Sequence, residues 1–206
     1  MSKKEVAISS LSDFIPADTY HLVEPFLVHY KVHLTITRSR STVLGDYRNA
    51  YAGRAHRISV NGNLNQYAFL ITLLHELAHL ITFERFGHRV ASHGKEWKMQ
   101  FSELLKHFLN NEVFPNDIRQ QLTESLKSPA ASSCADDGLM RVLRKYDQIK
   151  DGHLLVEEIQ PGACFQTKNG KIYRREEKVR KRIKAVEIDT GRIYLFSPIY
   201  EVIKVG

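Results

Sequence analysis

Cysteine is scarce in this chain of 206 residues: Cys134 and Cys164 are the two present, and they lie far apart. They make no CxxC pair, which excludes both a disulfide framework and a cysteine zinc site. Such sparse use of cysteine is typical of proteins that work in a reducing compartment.

Long apolar runs are also missing. No stretch approaches the roughly 20 residues that a helix needs to cross a bilayer. The N-terminal sequence "MSKKEVAISSLSDF" lacks the apolar segment of a signal peptide. We therefore predict a cytoplasmic protein with no membrane partner.

Negative charge is scarce in one region near the C-terminus. The net charge is +7, and the segment from Lys168 to Lys184 alone contains nine Lys and Arg against Glu176 and Glu177. A basic stripe on one element favours an anionic partner, with nucleic acid first, although a solvated charged hairpin would give the same pattern. The candidate nucleic-acid-binding residues are Lys171, Arg174, Arg175, Lys178, Arg180, Lys181, Arg182 and Lys184.

The pattern of apolar residues predicts an α+β fold. A first helix over 16–30, interrupted by Pro25, is followed by three strands in "KVHLTITRSR", "TVLGDYRNAYAG" and "HRISVNGNL". A long apolar helix over 66–86 should stop at Gly87 and lie buried against a small three-stranded sheet. A second helix should begin near Gly94, and "PNDIRQQLTESL" and "DGLMRVLRKYD" predict two shorter ones.

From about residue 152 the periodicity changes to two, with turn signals at Asn169-Gly170 and Thr190-Gly191. This pattern predicts a small antiparallel β domain of about four strands. We therefore divide the chain into a domain over 1–127, a linker with a short helix over 128–151 and a basic β domain over 152–206. Phe165, Tyr173 and Tyr194 in this last domain would either stack on unpaired bases or form its core.

The segment "ITLLHELAHLITFERFGHRVASHGKEW" (71–97) concentrates the chemistry. His75 and His79 are four residues apart, so a helix points both imidazoles at one ion, and Glu76 can reach its open coordination position. This HExxH arrangement predicts one Zn²⁺ and a carboxylate that takes a proton from water at the metal. Unpaired polar groups among Leu74, Leu77 and Leu80 would otherwise be costly.

A catalytic zinc needs a third protein ligand. The metzincin pattern is excluded, because Thr82 and Arg85 stand where it requires glycine and histidine. By spacing, the candidates in order of preference are His93, Glu103, Glu96 and His88.

The segment from Thr72 to Lys98 resembles the core of the SprT/Spartan-like zinc metallopeptidases, which combine HExxH with a later HGxxW. The matching residues here are His75, Glu76 and His79, then His93, Gly94 and Trp97. The resemblance covers about residues 15–110. It implies a zinc peptidase domain with His75, His79 and His93 as ligands and Glu76 as the general base. It also implies a protein or peptide substrate, and for members with known roles this substrate is protein attached to DNA.

The chain departs from this family at its C-terminus, where many relatives carry a cysteine zinc ribbon. Here the basic strands after Ala163 take its place. A deformylase-like hydrolase is disfavoured because no cysteine precedes the HExxH motif. The main alternative is a non-catalytic nucleic-acid-binding adaptor in which zinc is structural. For the peptidase, we expect a substrate strand to pair with an edge formed by "RISVN" (57–61).

Overall fold

The protein was analysed as a computed structural model that describes residues 8–40, 43–126, 136–148 and 151–205. It has an α+β fold in two compact units, residues 1–147 and 148–206. The predicted linker over 128–151 lies partly outside the described residues. None of the described helices has the length and apolar character needed to cross a membrane.

The first unit contains five helices and a three-stranded sheet. The helices are α1 (Tyr20–His29), α2 (Gln66–Phe86), α3 (Lys95–Asn110), α4 (Asn116–Ser125) and α5 (Asp137–Arg144), with short 3₁₀ turns at Ile8–Asp13 and Gly87–Arg89. The strands are β1 (His33–Thr37), β2 (Gly45–Arg48) and β3 (Arg57–Asn61).

The α1 helix begins later than its sequence pattern predicts. Pro16 does not open it, because Asp18 adopts a left-handed conformation (φ 57°) that interrupts the helical path before Tyr20. Pro25 lies inside the helix and does not end it.

The α2 helix has the predicted bounds, and its two ends explain why. At its start, the Asn65 side chain accepts hydrogen bonds from the backbone N–H groups of Tyr67 and Ala68 at 3.1 and 2.9 Å. At its end, Gly87 takes a positive φ of 62°, which glycine tolerates at little cost. Thirteen of its 21 residues are buried, so α2 is the centre of the core of this unit.

The small sheet has the order β1-β3-β2, with β1 parallel and β2 antiparallel to β3. The expectation that "RISVN" forms an edge is therefore wrong: this segment is β3, and it is paired on both sides. Within the described residues β2 pairs with β3 only, and β2 is also the strand with the most contact with α2.

The second unit is a six-stranded antiparallel sheet with its own core. Its strands are β4 (His153–Leu155), β5 (Cys164–Gln166), β6 (Ile172–Val179), β7 (Arg182–Glu187), β8 (Ile193–Phe196) and β9 (Glu201–Lys204), in the order β4-β9-β5-β6-β7-β8. The sequence pattern predicts about four strands, whereas the structure has six. The number differs because two of the predicted β segments each form two strands joined by a turn. The turns of these hairpins contain Gly170 and Gly191, both at positive φ.

Candidate metal centre and adjoining carboxylate

Three imidazoles converge at the surface between α2 and α3. The Nε2 atom of His75 lies 3.1 Å from Nε2 of His79 and 3.3 Å from Nε2 of His93. His75 and His79 are one helical turn apart on α2, so their side chains share a face. His93 approaches from the segment before α3, where Gly94 is the residue preceding the helix.

Trp97 packs against all three histidines. Its ring is fully buried and lies 4.7, 5.3 and 4.7 Å, between ring centroids, from His75, His79 and His93. Phe101, one turn further along α3, stacks on Trp97 at 5.0 Å. The aromatic position of the HGxxW motif therefore packs against all three imidazoles and restricts their orientation.

The donor set fits a tetrahedral ion. With metal–nitrogen bonds of about 2.0–2.1 Å, two ligand atoms of a tetrahedron lie about 3.3–3.4 Å apart. The observed nitrogen separations of 3.1 and 3.3 Å are close to this value. The three histidines can hold a metal ion, and among the described residues they supply three ligands to it.

All three histidines have lowered pKa values, which favour the neutral imidazole, and this is the form that binds metal. Burial lowers the pKa of His75 to about 3, with further lowering by His79 and His93. Burial lowers the pKa of His79 to about 4, helped by His93, and burial also lowers the pKa of His93. A metal therefore does not have to displace protons from these ligands at neutral pH.

Glu76 lies beside the cluster on α2 and is 7% exposed. Its pKa is raised to about 8, first by burial and then by the nearby Asp46, while Arg40 acts in the opposite direction. A bound dication would favour the ionised carboxylate. Glu76 is therefore a buried carboxyl group on the same helix as His75 and His79.

Gly45 of β2 makes room for Glu76. A Cβ at this position would lie 2.5 Å from Oε1 and 2.9 Å from Cγ of Glu76. The backbone conformation of Gly45 does not require glycine, since its φ is not positive, so close approach is the reason for the small residue. No sequence pattern identifies Gly45 as a site residue, because its proximity to Glu76 depends on how β2 packs on α2.

Tyr47, two residues further along β2, was also missed. Its ring is parallel to that of His79 within 2°, at 6.5 Å between centroids. Its hydroxyl donates to Nδ1 of His56 at 2.9 Å, and this nitrogen also accepts from the Ala50 N–H. Nε2 of His56 then carries the proton and faces Glu84 of α2 at 3.2 Å. Tyr47, His56 and Glu84 thus link β2, the start of β3 and α2.

The other candidate ligands lie elsewhere. The carboxylate of Glu103 is 4.0 Å from Arg85, and both side chains are exposed. The ring of His88 packs against Phe83 at 5.0 Å. The carboxylate of Glu96 lies beside Gly94, close to where a Cβ on that glycine would be. Among the described residues, the group of histidines, cysteines and carboxylates close enough to share an ion is His75, His79 and His93.

Seven of the eight basic candidates lie on β6, on β7 or in the turn between them, and Lys171 directly precedes β6 in the second unit. Phe165 and Tyr173 are buried in the core of that unit, and Tyr194 packs against the same core. Phe165 and Tyr173 are therefore core residues and do not offer faces for stacking on bases.

The part of the chain that contains these residues is similar to known proteins. The model of the SprT-like family matches residues 22–119, which include the three histidines, Glu76, Gly45 and Trp97. A protein SprT from Pectobacterium carotovorum subsp. carotovorum is 44% identical over 73 residues, 32% of this chain and 42% of the relative. One from Yersinia pestis is 34% identical over 104 residues, 45% of this chain and 61% of the relative.

A third relative, protein SprT from Klebsiella pneumoniae, is 38% identical over 85 residues, 36% of this chain and 51% of the relative. The chain therefore spans about half the length of these curated relatives. No solved structure matches the chain. The family match and these relatives show that residues 22–119 of the chain are similar to the SprT-like family.

Proposed function

We propose that the chain is a zinc-dependent endopeptidase in which Glu76 is the general base. The observation that carries this proposal is the buried carboxylate of Glu76 beside three converging imidazoles that leave one coordination position open. When bound, zinc acts as a Lewis acid that polarises a carbonyl and lowers the pKa of water.

The free edge of β2 is the expected path of the substrate backbone. The Asn61 N–H donates to the Leu44 carbonyl at 2.9 Å, so Leu44, Asp46 and Arg48 direct their backbone groups toward β3. The backbone groups of Gly45 and Tyr47 then point outward, where a substrate strand can pair with them. Gly45 also leaves the space between this edge and Glu76 open.

Glu76 then moves one proton during cleavage. Its carboxylate takes a proton from the attacking water and delivers it to the leaving amine nitrogen as the peptide bond breaks. Tyr47 supports the neighbouring imidazole of His79 by ring packing and keeps β2 in place through His56. The family resemblance implies that the substrate is protein attached to DNA. We propose the same class of substrate for this chain.

The non-catalytic adaptor explains less of the site. A structural zinc is held by four protein ligands. The described residues bring three ligands together, and a structural role gives no reason for Glu76 to be buried beside them.

The Glu76→Gln variant tests the proposal. With denatured casein as the probe, the zinc-loaded wild-type chain should cleave and the variant should not, while both bind one zinc with similar affinity. Cleavage by the variant in a preparation free of other proteases would reject Glu76 as the base. Loss of zinc from the variant would show that Glu76 is a ligand.

A further inference from the structure

The basic residues of the second unit divide into two groups that the sequence does not separate. In the body of the sheet, Lys171 pairs with the buried Glu187, Arg174 pairs with Glu176, and Lys184 pairs with Glu177, at 2.5, 3.1 and 3.1 Å. The guanidinium of Arg175 donates to the backbone carbonyl of Ile159. Each of these four cations therefore has a partner within the unit.

The remaining four lie together at the end of the β6–β7 hairpin. Lys178, Arg180, Lys181 and Arg182 are exposed, and none of them has an ion pair with another described residue. We call these four residues the hairpin tip. The nearest carboxylates, Glu176 and Glu177, are taken by Arg174 and Lys184, so the tip presents four positive charges without local neutralisation.

The backbone separates the tip from the sheet. The register of β6 and β7 shifts between Arg175 and Lys178, which marks a bulge. The residues of β6 that pair with β5 are Ile172 to Arg174, so the segment of β6 beyond the bulge is not paired with β5. On the other side, the pairing of β7 with β8 ends at Ile183. The end of the hairpin, which consists of the Val179–Arg182 pair and the Arg180–Lys181 turn, therefore projects past both neighbouring strands. Bulges commonly redirect a strand in this way.

The turn contains a charged residue where glycine or asparagine would fit the backbone conformation more easily. Arg180 adopts a left-handed backbone (φ 55°), a conformation for which hairpins normally use glycine or asparagine. An arginine at this position, followed by Lys181 and Arg182, is strained relative to glycine. The turn places two exposed cations, Arg180 and Lys181, at the outermost point of the hairpin.

We propose that the hairpin tip binds double-stranded nucleic acid by entering a groove and contacting the phosphates on either side. A two-stranded β-ribbon fits the major groove, which is about 12 Å wide. Lysine and arginine at the tip contact phosphates without reading sequence. A single strand is the less suitable ligand, because the aromatic residues Phe165 and Tyr173, which would stack on unpaired bases, are buried in the core.

The test uses the chain of 206 residues with Glu76→Gln, so that its outcome does not depend on peptidase activity. In the tip variant, Lys178→Gln, Arg180→Asn, Lys181→Gln and Arg182→Gln are combined. In a matched control, Lys168→Gln, Arg174→Gln, Lys184→Gln and Arg192→Gln remove the same charge from other parts of the second unit. Binding to a 20-base-pair duplex, to a single strand of equal length and to anionic vesicles is measured by anisotropy or co-sedimentation between 50 and 200 mM salt. Circular dichroism verifies that both variants are folded.

The proposal predicts that the tip variant binds the duplex about tenfold or more weakly at 50 mM salt. It also predicts that the slope of log K against log salt becomes shallower by about 3 to 4, since each phosphate contact contributes about 0.9. The control should keep most of the affinity and slope. Equal losses in both variants, tighter binding of the single strand, equal binding to vesicles, or no duplex binding by the parent chain would each overturn the proposal.

Discussion

At the scale of single residues, the site depends on how little space separates β2 from α2. Gly45→Ala would place a methyl group 2.5 Å from Oε1 of Glu76 and 2.8 Å from the Thr72 methyl group, which is closer than such atoms can approach. We expect zinc binding to remain, because the imidazoles are not displaced, and cleavage to fall on the order of 10–100-fold, because the base moves out of position.

The kcat of Gly45→Ala and its zinc content per chain check this expectation. Arg48→Ala on the same strand is the control, since the Arg48 side chain is exposed. Full activity in Gly45→Ala would show that Glu76 tolerates the displacement and that the account of Gly45 is wrong.

A second residue-scale expectation concerns His93. Removing one of three ligands weakens a metal site strongly, whereas removing a nearby histidine that is not a ligand does not. We expect His93→Ala to lose zinc at chelator concentrations that leave the wild-type chain loaded, and His88→Ala, with His88 packed on Phe83, to behave as wild type. Equal zinc retention in both variants would remove His93 from the ligand set.

At the scale of elements, the contact between β2 and α2 is held by the Tyr47–His56–Glu84 chain. Tyr47→Phe removes the hydroxyl that donates to His56 while keeping the ring beside His79. We expect a loss of about 1–2 kcal/mol in the free energy of unfolding, typical of a hydrogen bond to a buried group. Tyr51→Phe is the control, because Tyr51 is 79% exposed. Chemical denaturation with zinc held constant compares the two, and equal stability in both would contradict the assigned role.

The β6–β7–β8 region has its own pH dependence through Glu187. Hydrogen bonds from Lys171 and Thr190 lower the pKa of this carboxyl below its ordinary value of 4.5. A lowered pKa means that its stabilising contribution is complete above the ordinary value and is lost as the pH falls through the folded-state value. The protection factors of the β7 amides, which are corrected for the intrinsic exchange rate, should therefore decrease on acidification below the ordinary value of 4.5, and less so in Glu187→Gln. The same acid response in the variant would assign the effect to other groups.

Element bounds were predictable where the signal is local, and contacts between elements were not. Asn65 and Gly87 mark the ends of α2 in the sequence, and HExxH lies on one helical face wherever that helix is placed. The position of β3 at the centre of its sheet, and of Gly45 against Glu76, depends on pairing between distant segments. Periodicity cannot reveal such pairings. The same limit applies to the basic segment, whose charges could be counted but not divided into paired and unpaired groups.

At the scale of the whole molecule, each of the two units has its own core. One buried cluster runs from Leu11 to Leu143 and the other from Val156 to Val202, and each lies within one unit. We therefore expect a fragment of residues 1–147 to fold cooperatively and to bind one zinc. Thermal unfolding followed by the fluorescence of Trp97, with zinc quantified, would check this. A fragment that is unfolded or fails to bind zinc would show that the first unit depends on the second.

The central claim is that three imidazoles from two neighbouring segments hold one zinc and leave a position open beside Glu76. Anomalous diffraction at the zinc edge, from crystals grown with the metal, tests it most directly. The account predicts one peak at about 2.0–2.1 Å from the Nε2 atoms of His75, His79 and His93, with no fourth protein ligand. A peak elsewhere, or these side chains turned away from one another in the presence of zinc, would contradict it.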